Sequence, residues 1–147
     1  MFTILNGTKK SGQIIYRTEE FSFDTIGGEF SNTSVMINDV FLGINDCTNE
    51  IVQVWGLSPQ AKWITMSCSL PHYIEGSIIV SNQRDFLHPI RVNGIMPWKE
   101  YYNPTTGWLC LDSGDSRFSK DICVCFVNNA LALIKNGKML SLWLKVK

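Results

Sequence analysis

Apolar side chains in this chain recur at every second position and almost nowhere at every third or fourth. A period of two sends alternate residues to opposite faces of an extended segment, so it commits the chain to sheets and leaves little room for helices. Lys62-Trp63-Ile64-Thr65-Met66-Ser67-Cys68-Ser69-Leu70 shows the pattern. It predicts a half-buried antiparallel strand with Ile64, Met66, Cys68 and Leu70 facing a core and Thr65, Ser67 and Ser69 facing water. The sharpest local signal lies near the C-terminus, where the run from Ala130 to Lys135 meets Asn136-Gly137 and continues from Lys138 to Lys145. Asn-Gly between two apolar runs predicts a hairpin, because a two-residue type I′ turn needs positive φ at both central positions. In the last strand Leu140, Leu142, Leu144 and Val146 share one face, and Ser141, Trp143 and Lys145 share the other. The leucine row is expected to meet Ile134, Leu133 or Ile122, Val124 and Phe126 across the core.

Further strands are predicted at 2–5, 13–17, 20–25, 33–38, 40–44, 50–55, 73–80, 89–92, 107–111 and 121–127. Glycines punctuate them throughout, with Gly27-Gly28, Gly56 and Gly107 among the breaks. Helix is confined to single turns. One is predicted at 58–61, with Ser58 as N-cap and Pro59 in the first helical position. The other is predicted at 97–102. Pro89 and Pro97 bar any long helix between them. The expected fold is all-β: one domain spanning 1–147, antiparallel, built as a two-sheet sandwich or flattened barrel of about ten strands and ending in the Asn-Gly hairpin.

Bulk properties agree with a folded domain. The 147 residues are 45% hydrophobic and 12% aromatic, and only 18% are charged, which argues against disorder. No apolar run approaches the ~18 residues of a membrane helix. Met1-Phe2-Thr3-Ile4-Leu5-Asn6 lacks the basic and apolar regions of a signal peptide. These features give the expectation of a cytoplasmic protein without a membrane role. The two sequons, at Asn6 and Asn32, are then chance matches.

The five cysteines, Cys47, Cys68, Cys110, Cys123 and Cys125, are odd in number and contain no C-x-x-C. They read as free thiols serving as small hydrophobes, with Cys123 and Cys125 on one strand face. The two histidines, His72 and His88, are too few for a histidine metal site, and neither sits in a nucleophile motif. Asp112-Ser113-Gly114-Asp115-Ser116 lacks the late bidentate glutamate of a calcium loop and reads as a turn. Gly27-Gly28 opens no helix and precedes no Gly-Lys-Ser/Thr, so a phosphate loop is not expected. No cofactor or metal is called for.

Charge is divided along the chain. Residues 18–75 carry a net −7, against +3 over 1–17 and +4 over 76–147, so the neutral total conceals an acidic middle. Such a division steers a partner of opposite sign without saying anything about fold. The stretch from Arg91 to Trp108 adds an arginine, a methionine and large aromatics among turn formers, a composition favoured at contact hot spots.

The leading expectation is therefore a non-enzymatic protein-binding domain. Its concrete version is a bacterial immunity protein that blocks a basic toxin such as a nuclease. Glu19, Glu20, Asp24, Glu29, Asp39, Asp46 and Glu50 would gather on one exterior to meet the partner's basic surface, and Trp98, Tyr101 and Tyr102 would anchor it. A second reading is a small-ligand binder or hydrolase-like enzyme with Cys68, His72, His88 and Asp112 at one end of a barrel. A third is single-stranded nucleic-acid binding by the basic second half, weighed down by interleaved acids and a pI near 6.7. Nothing in the sequence sets the oligomeric state.

Overall fold

The computed structural model describes residues 1–67, 69–81 and 90–147, and it is all-β. Among these residues the period of two becomes fourteen strands. They are β1 (Phe2–Asn6), β2 (Lys10–Arg17), β3 (Ser22–Ile26), β4 (Thr33–Ile37), β5 (Val40–Asn45), β6 (Glu50–Leu57) and β7 (Ile64–Thr65). The second half holds β8 (Tyr73–Val80), β9 (Ile90–Arg91), β10 (Lys99–Asn103), β11 (Trp108–Asp112), β12 (Cys123–Asn128), β13 (Ala130–Lys135) and β14 (Lys138–Lys145).

Five strands close on themselves. β2 pairs with β3, β3 with β6, β6 with β8, β8 with β12, and β12 returns to β2. Closure removes the free edges that an open sheet would expose. Two arms extend from this barrel. One runs from β12 through β13, β14, β11 and β10 to β7, and the other from β6 through β5 and β4 to β9. β1 adds to β8. Pairing therefore runs unbroken through all the strands rather than falling into two separate sheets. It is also not wholly antiparallel: β7–β10, β12–β2, β12–β8 and β4–β9 are parallel.

The barrel interior is filled by Ile14, Phe23, Val54, Ile78, Val124 and Phe126, and both arms turn one face onto the same core through Val35, Leu42, Leu109 and Leu142. A second apolar cluster lies on the opposite face of the β10–β14 arm. Tyr101, Cys110, Cys123, Cys125, Leu131, Leu133 and Trp143 form it, and Met66 and Leu70 cover it. Strands buried on both faces lose the in/out alternation, which is why Cys123–Val127 and Ala130–Leu133 are continuously apolar.

β13 and β14 pair across Asn136 and Gly137, whose φ values are 53° and 76°. The leucine row does not keep to one face. Ile134 opposes Met139 and Leu133 opposes Ser141, so Leu140 is an extra residue, a β-bulge. The bulge turns Leu140 toward the second cluster and puts Met139 in the main core beside Leu142 and Leu144. Of the expected opposing residues, Val124, Phe126 and Ile134 do pack there, Leu133 belongs to the second cluster, and Ile122 is exposed.

Three other expectations need correction. The 62–70 segment is a strand only over Ile64–Thr65, and Ile64 is exposed. It pairs with β10 only at Tyr101 and Tyr102 and then leaves the edge, so Met66 and Leu70 act as a cover and not as a strand row; Cys68 lies outside the described residues. The stretch 97–102 is not a helical turn, because β10 pairs with β11 along its whole length. The helical turn near 58 is a short 3-10 turn at Gln60–Lys62, and buried Ser58 does not cap it.

Leu142 is fully buried in the main core. Leu142→Ala should lower the unfolding free energy by about 2–5 kcal/mol in equilibrium denaturation, and Leu140→Ala by less; a loss under about 1 kcal/mol at Leu142 would reject its placement.

Candidate functional site

The turn between β4 and β5 is Asn38-Asp39, with Asn38 at φ 52°, a conformation asparagine tolerates better than most residues. Asn38 employs every polar atom it has. Its N–H donates to Asn93 Oδ1 (3.2 Å), and its carbonyl accepts from Arg91 (2.6 Å). Its side chain takes the Trp98 N–H (2.9 Å) and gives to the Trp98 carbonyl (2.9 Å) and to Glu100 Oε2 (3.2 Å). The amide thus pairs with Trp98 as a neighbouring strand would, and fastens loop 92–98 to the turn.

Beneath the loop lies a second polar group. The Ser58 hydroxyl donates to Glu100 Oε1 and accepts from Trp63 Nε1 (2.9 Å), while the Tyr16 hydroxyl donates to the Ser58 carbonyl (2.8 Å). Glu100 is 7% exposed. Burial pushes its carboxyl above the ordinary glutamate range; the Ser58 and Asn38 hydrogen bonds and the Lys62 charge pull the other way, and Asp39 adds to the rise. Burial also raises the Tyr16 phenol, helped by the Glu100 charge.

Together these elements wall a cleft of about 570 Å³ between the Asn38 turn, Lys62, Ile64, the loop and the start of β10. At its lip Ile95 is 98% exposed and Met96 71%. They are held there from within the loop, since Asn93 donates to the Met96 carbonyl (3.0 Å) and Gly94 supplies a positive φ of 60°. Among the described residues no carboxylate lies within ion-pair distance of Lys62, Arg91 or Lys99.

The carboxylates singled out in the sequence do not share one face. Glu19 and Glu20 lie in the β2–β3 turn and Asp39 in the β4–β5 turn, at the cleft end of the molecule. Asp46 lies beyond the other end of β5. Asp24 pairs with Arg17 (3.2 Å), and Glu50 and Glu29 share Lys10 (2.7 and 3.9 Å). Burial opposes the Glu50 charge, but Lys10, Ser77 and Thr48 outweigh it and hold its carboxyl below the usual range. The three aromatics face inward. Tyr101 is buried under the Arg117 guanidinium (3.9 Å), Tyr102 packs on Trp63 (4.8 Å), and Trp98 is half-buried against the main core. The exposed apolar pair Ile95 and Met96 is not among the anchors named from the sequence. Their only signal was an apolar pair set between Gly94 and Pro97, inside the stretch already marked as a contact surface.

Two residues of the enzymatic reading, His72 and Asp112, are among those described. His72 is exposed in a different cleft, beside Arg117 and Lys120, and Cys68 and His88 lie outside the described residues. Asp112 is occupied by the Gly114 and Ser116 amides, the Ser116 hydroxyl and Arg117 (2.9 Å). Burial pushes the Cys123 thiol up to about 12, which keeps it protonated and inert as a nucleophile. Comparison with protein-family models, with curated proteins and with solved structures returns no match.

Asn38→Gly keeps the turn conformation and deletes the side-chain bonds. It should cost about 1–3 kcal/mol of stability and speed hydrogen exchange at the Trp98 amide. Unchanged exchange at Trp98 would contradict the fastening role. Glu100 binds its proton more tightly folded than unfolded, so its contribution to stability is complete below the unfolded pKa and is lost as pH rises through the folded one. Wild type should therefore lose stability relative to Glu100→Gln as pH rises from the ordinary glutamate value; a pH-independent difference would refute the assignment.

Proposed function

We propose that this chain is a non-enzymatic protein-binding domain whose contact surface is the end of the molecule carrying loop 92–98. The observation that supports this reading is the pair Ile95 and Met96, almost bare to solvent on a loop fastened from below by Asn38. Exposing large apolar side chains costs free energy, and holding them in place adds no folding benefit. A partner that covers them gains apolar burial without first having to order the loop, which is the advantage of a preorganised contact. Methionine suits the role because its flexible thioether adapts to the surface it meets.

The narrower expectation of an acidic inhibitor for a basic toxin needs its carboxylates on one exterior. They divide between two ends, and several are held by Lys10 and Arg17, which favours a contact surface at the mixed-charge end over an all-acidic one. Stacking of single-stranded nucleic acid needs free aromatic faces, and Tyr101 and Tyr102 spend theirs inside the protein.

A photoreactive amino acid at position 95 tests the reading in the native host. It should yield a discrete cross-linked protein product, and the same probe at Asp46 should not. The reading fails if position 95 gives no product, or the same unspecific smear as position 46.

A further inference from the structure

We infer that the cleft beside loop 92–98 is a binding site for a small organic anion, one with a single charged head and an uncharged apolar body. This goes beyond the contact role of Ile95 and Met96 and does not depend on it. Arg91 is the central group. It is held in β9 against β4, where it opposes Met36 and the next N–H, that of Val92, donates to the Met36 carbonyl (2.7 Å). One guanidinium nitrogen, Nη1, donates to the Asn38 carbonyl (2.6 Å). The Nε and Nη2 groups have no acceptor among the described residues. An arginine fixed through one nitrogen and open at the others is a fork already placed for a carboxylate or phosphate, because part of the ordering cost is met before the ligand arrives.

Lys62 and Lys99 line the same cavity. Lysines without a carboxylate are ordinary on this surface, Lys138 and Lys145 among them, so the lack of a partner carries no weight by itself. What distinguishes the cleft is convergence. The 3-10 turn, β9 and β10 each bring one cationic side chain to a single cavity of about 570 Å³, a size that suits a small molecule.

Two carboxylates stand in the same lining, and they narrow the ligand. Glu100 has both oxygens engaged at the floor, Oε1 by the Ser58 hydroxyl and Oε2 by the Asn38 amide. Asp39 is exposed and remains part of the wall. A ligand negative at both ends would set one end against Asp39, and a cationic ligand would meet the three bases. The species that fits carries one anionic head for Arg91 and the lysines, and a neutral remainder. Ile64, Pro97 and Trp98 supply an apolar wall for that remainder.

An NMR titration of the isotopically labelled chain with phenyl phosphate, and in parallel with benzoate, tests this. Saturable amide shifts should concentrate at Asn38, Gly94 and Lys99 and be absent at Asp46; the tighter of the two compounds identifies the head. Inorganic phosphate should bind more weakly than phenyl phosphate, and benzylamine should leave these amides unmoved. Arg91→Ala should weaken binding about tenfold or more, and Lys62→Ala/Lys99→Ala should weaken it as well. Asp39→Asn should tighten binding roughly threefold, and Lys138→Ala/Lys145→Ala should leave it unchanged. Circular dichroism confirms that each variant is folded. Opposite signs at Arg91 and Asp39 are a result that general destabilisation does not produce. The absence of saturable shifts at the cleft with both anions, equal binding of benzylamine, or indifference to the Arg91 and lysine variants overturns the inference. Inorganic phosphate binding as tightly as phenyl phosphate overturns the apolar body. None of these outcomes alters the cross-link expected from position 95, so failure of the anion site and failure of the protein-binding reading are told apart.

Discussion

One edge of β12 carries the architecture. Its other edge takes β13, but this one is divided, with Cys123, Val124 and Cys125 pairing to β8 and Val127 and Asn128 to β2. A strand that splits its hydrogen bonds between two neighbours joins the ends of a sheet into a ring, and the ring creates the enclosed volume that Phe23, Ile78 and Phe126 fill. A bulge makes the division possible. Cys125 opposes Leu131 and Val127 opposes Ala130, which leaves Phe126 as the extra residue. The local bend lets Phe126 and Val127, neighbours in sequence, both face the main core. The Leu140 bulge in β14 curls the adjoining arm in the same way.

These bulges also mark where the sequence stops being readable. The expected strand at 73–80 matches β8 to the residue, and Asn136-Gly137 carries its turn chemistry in two letters. A bulge leaves no such trace, because Leu140 looks like any other member of an alternating row. Parallel pairing was equally hidden, because direction follows from which strands become neighbours and no single strand's period records it. The helical turn expected at 97–102 does not form because Lys99-Glu100-Tyr101-Tyr102-Asn103 is held extended by β11. Local propensity yields to a neighbouring strand that offers a full ladder of hydrogen bonds.

The candidate site shows the same divide. The acidic middle of the chain is real in sequence, but successive turns of a β protein fall at opposite ends, so Asp39 and Asp46 are parted by the length of β5. Aromatic content around 98–108 was visible, yet not which rings the core would claim. What places the loop is a polar network drawn from five separated segments: Tyr16, Asn38, Ser58, Trp63 and Glu100. Only the closed topology brings them together. A buried carboxylate with two donors keeps its geometry because any other arrangement leaves a charge unpartnered in a poorly solvated place.

The order of the strands has a consequence for how the protein is made. β12, the strand that joins β8 to β2, follows the other four barrel strands in chain order, so a chain made from its N-terminal side cannot close the ring until β12 is available. Until then the nascent barrel is an open sheet with two bare margins and an uncovered apolar interior. An open sheet of this kind is exposed to mispairing at its margins, and β12 is the strand that ends the exposure.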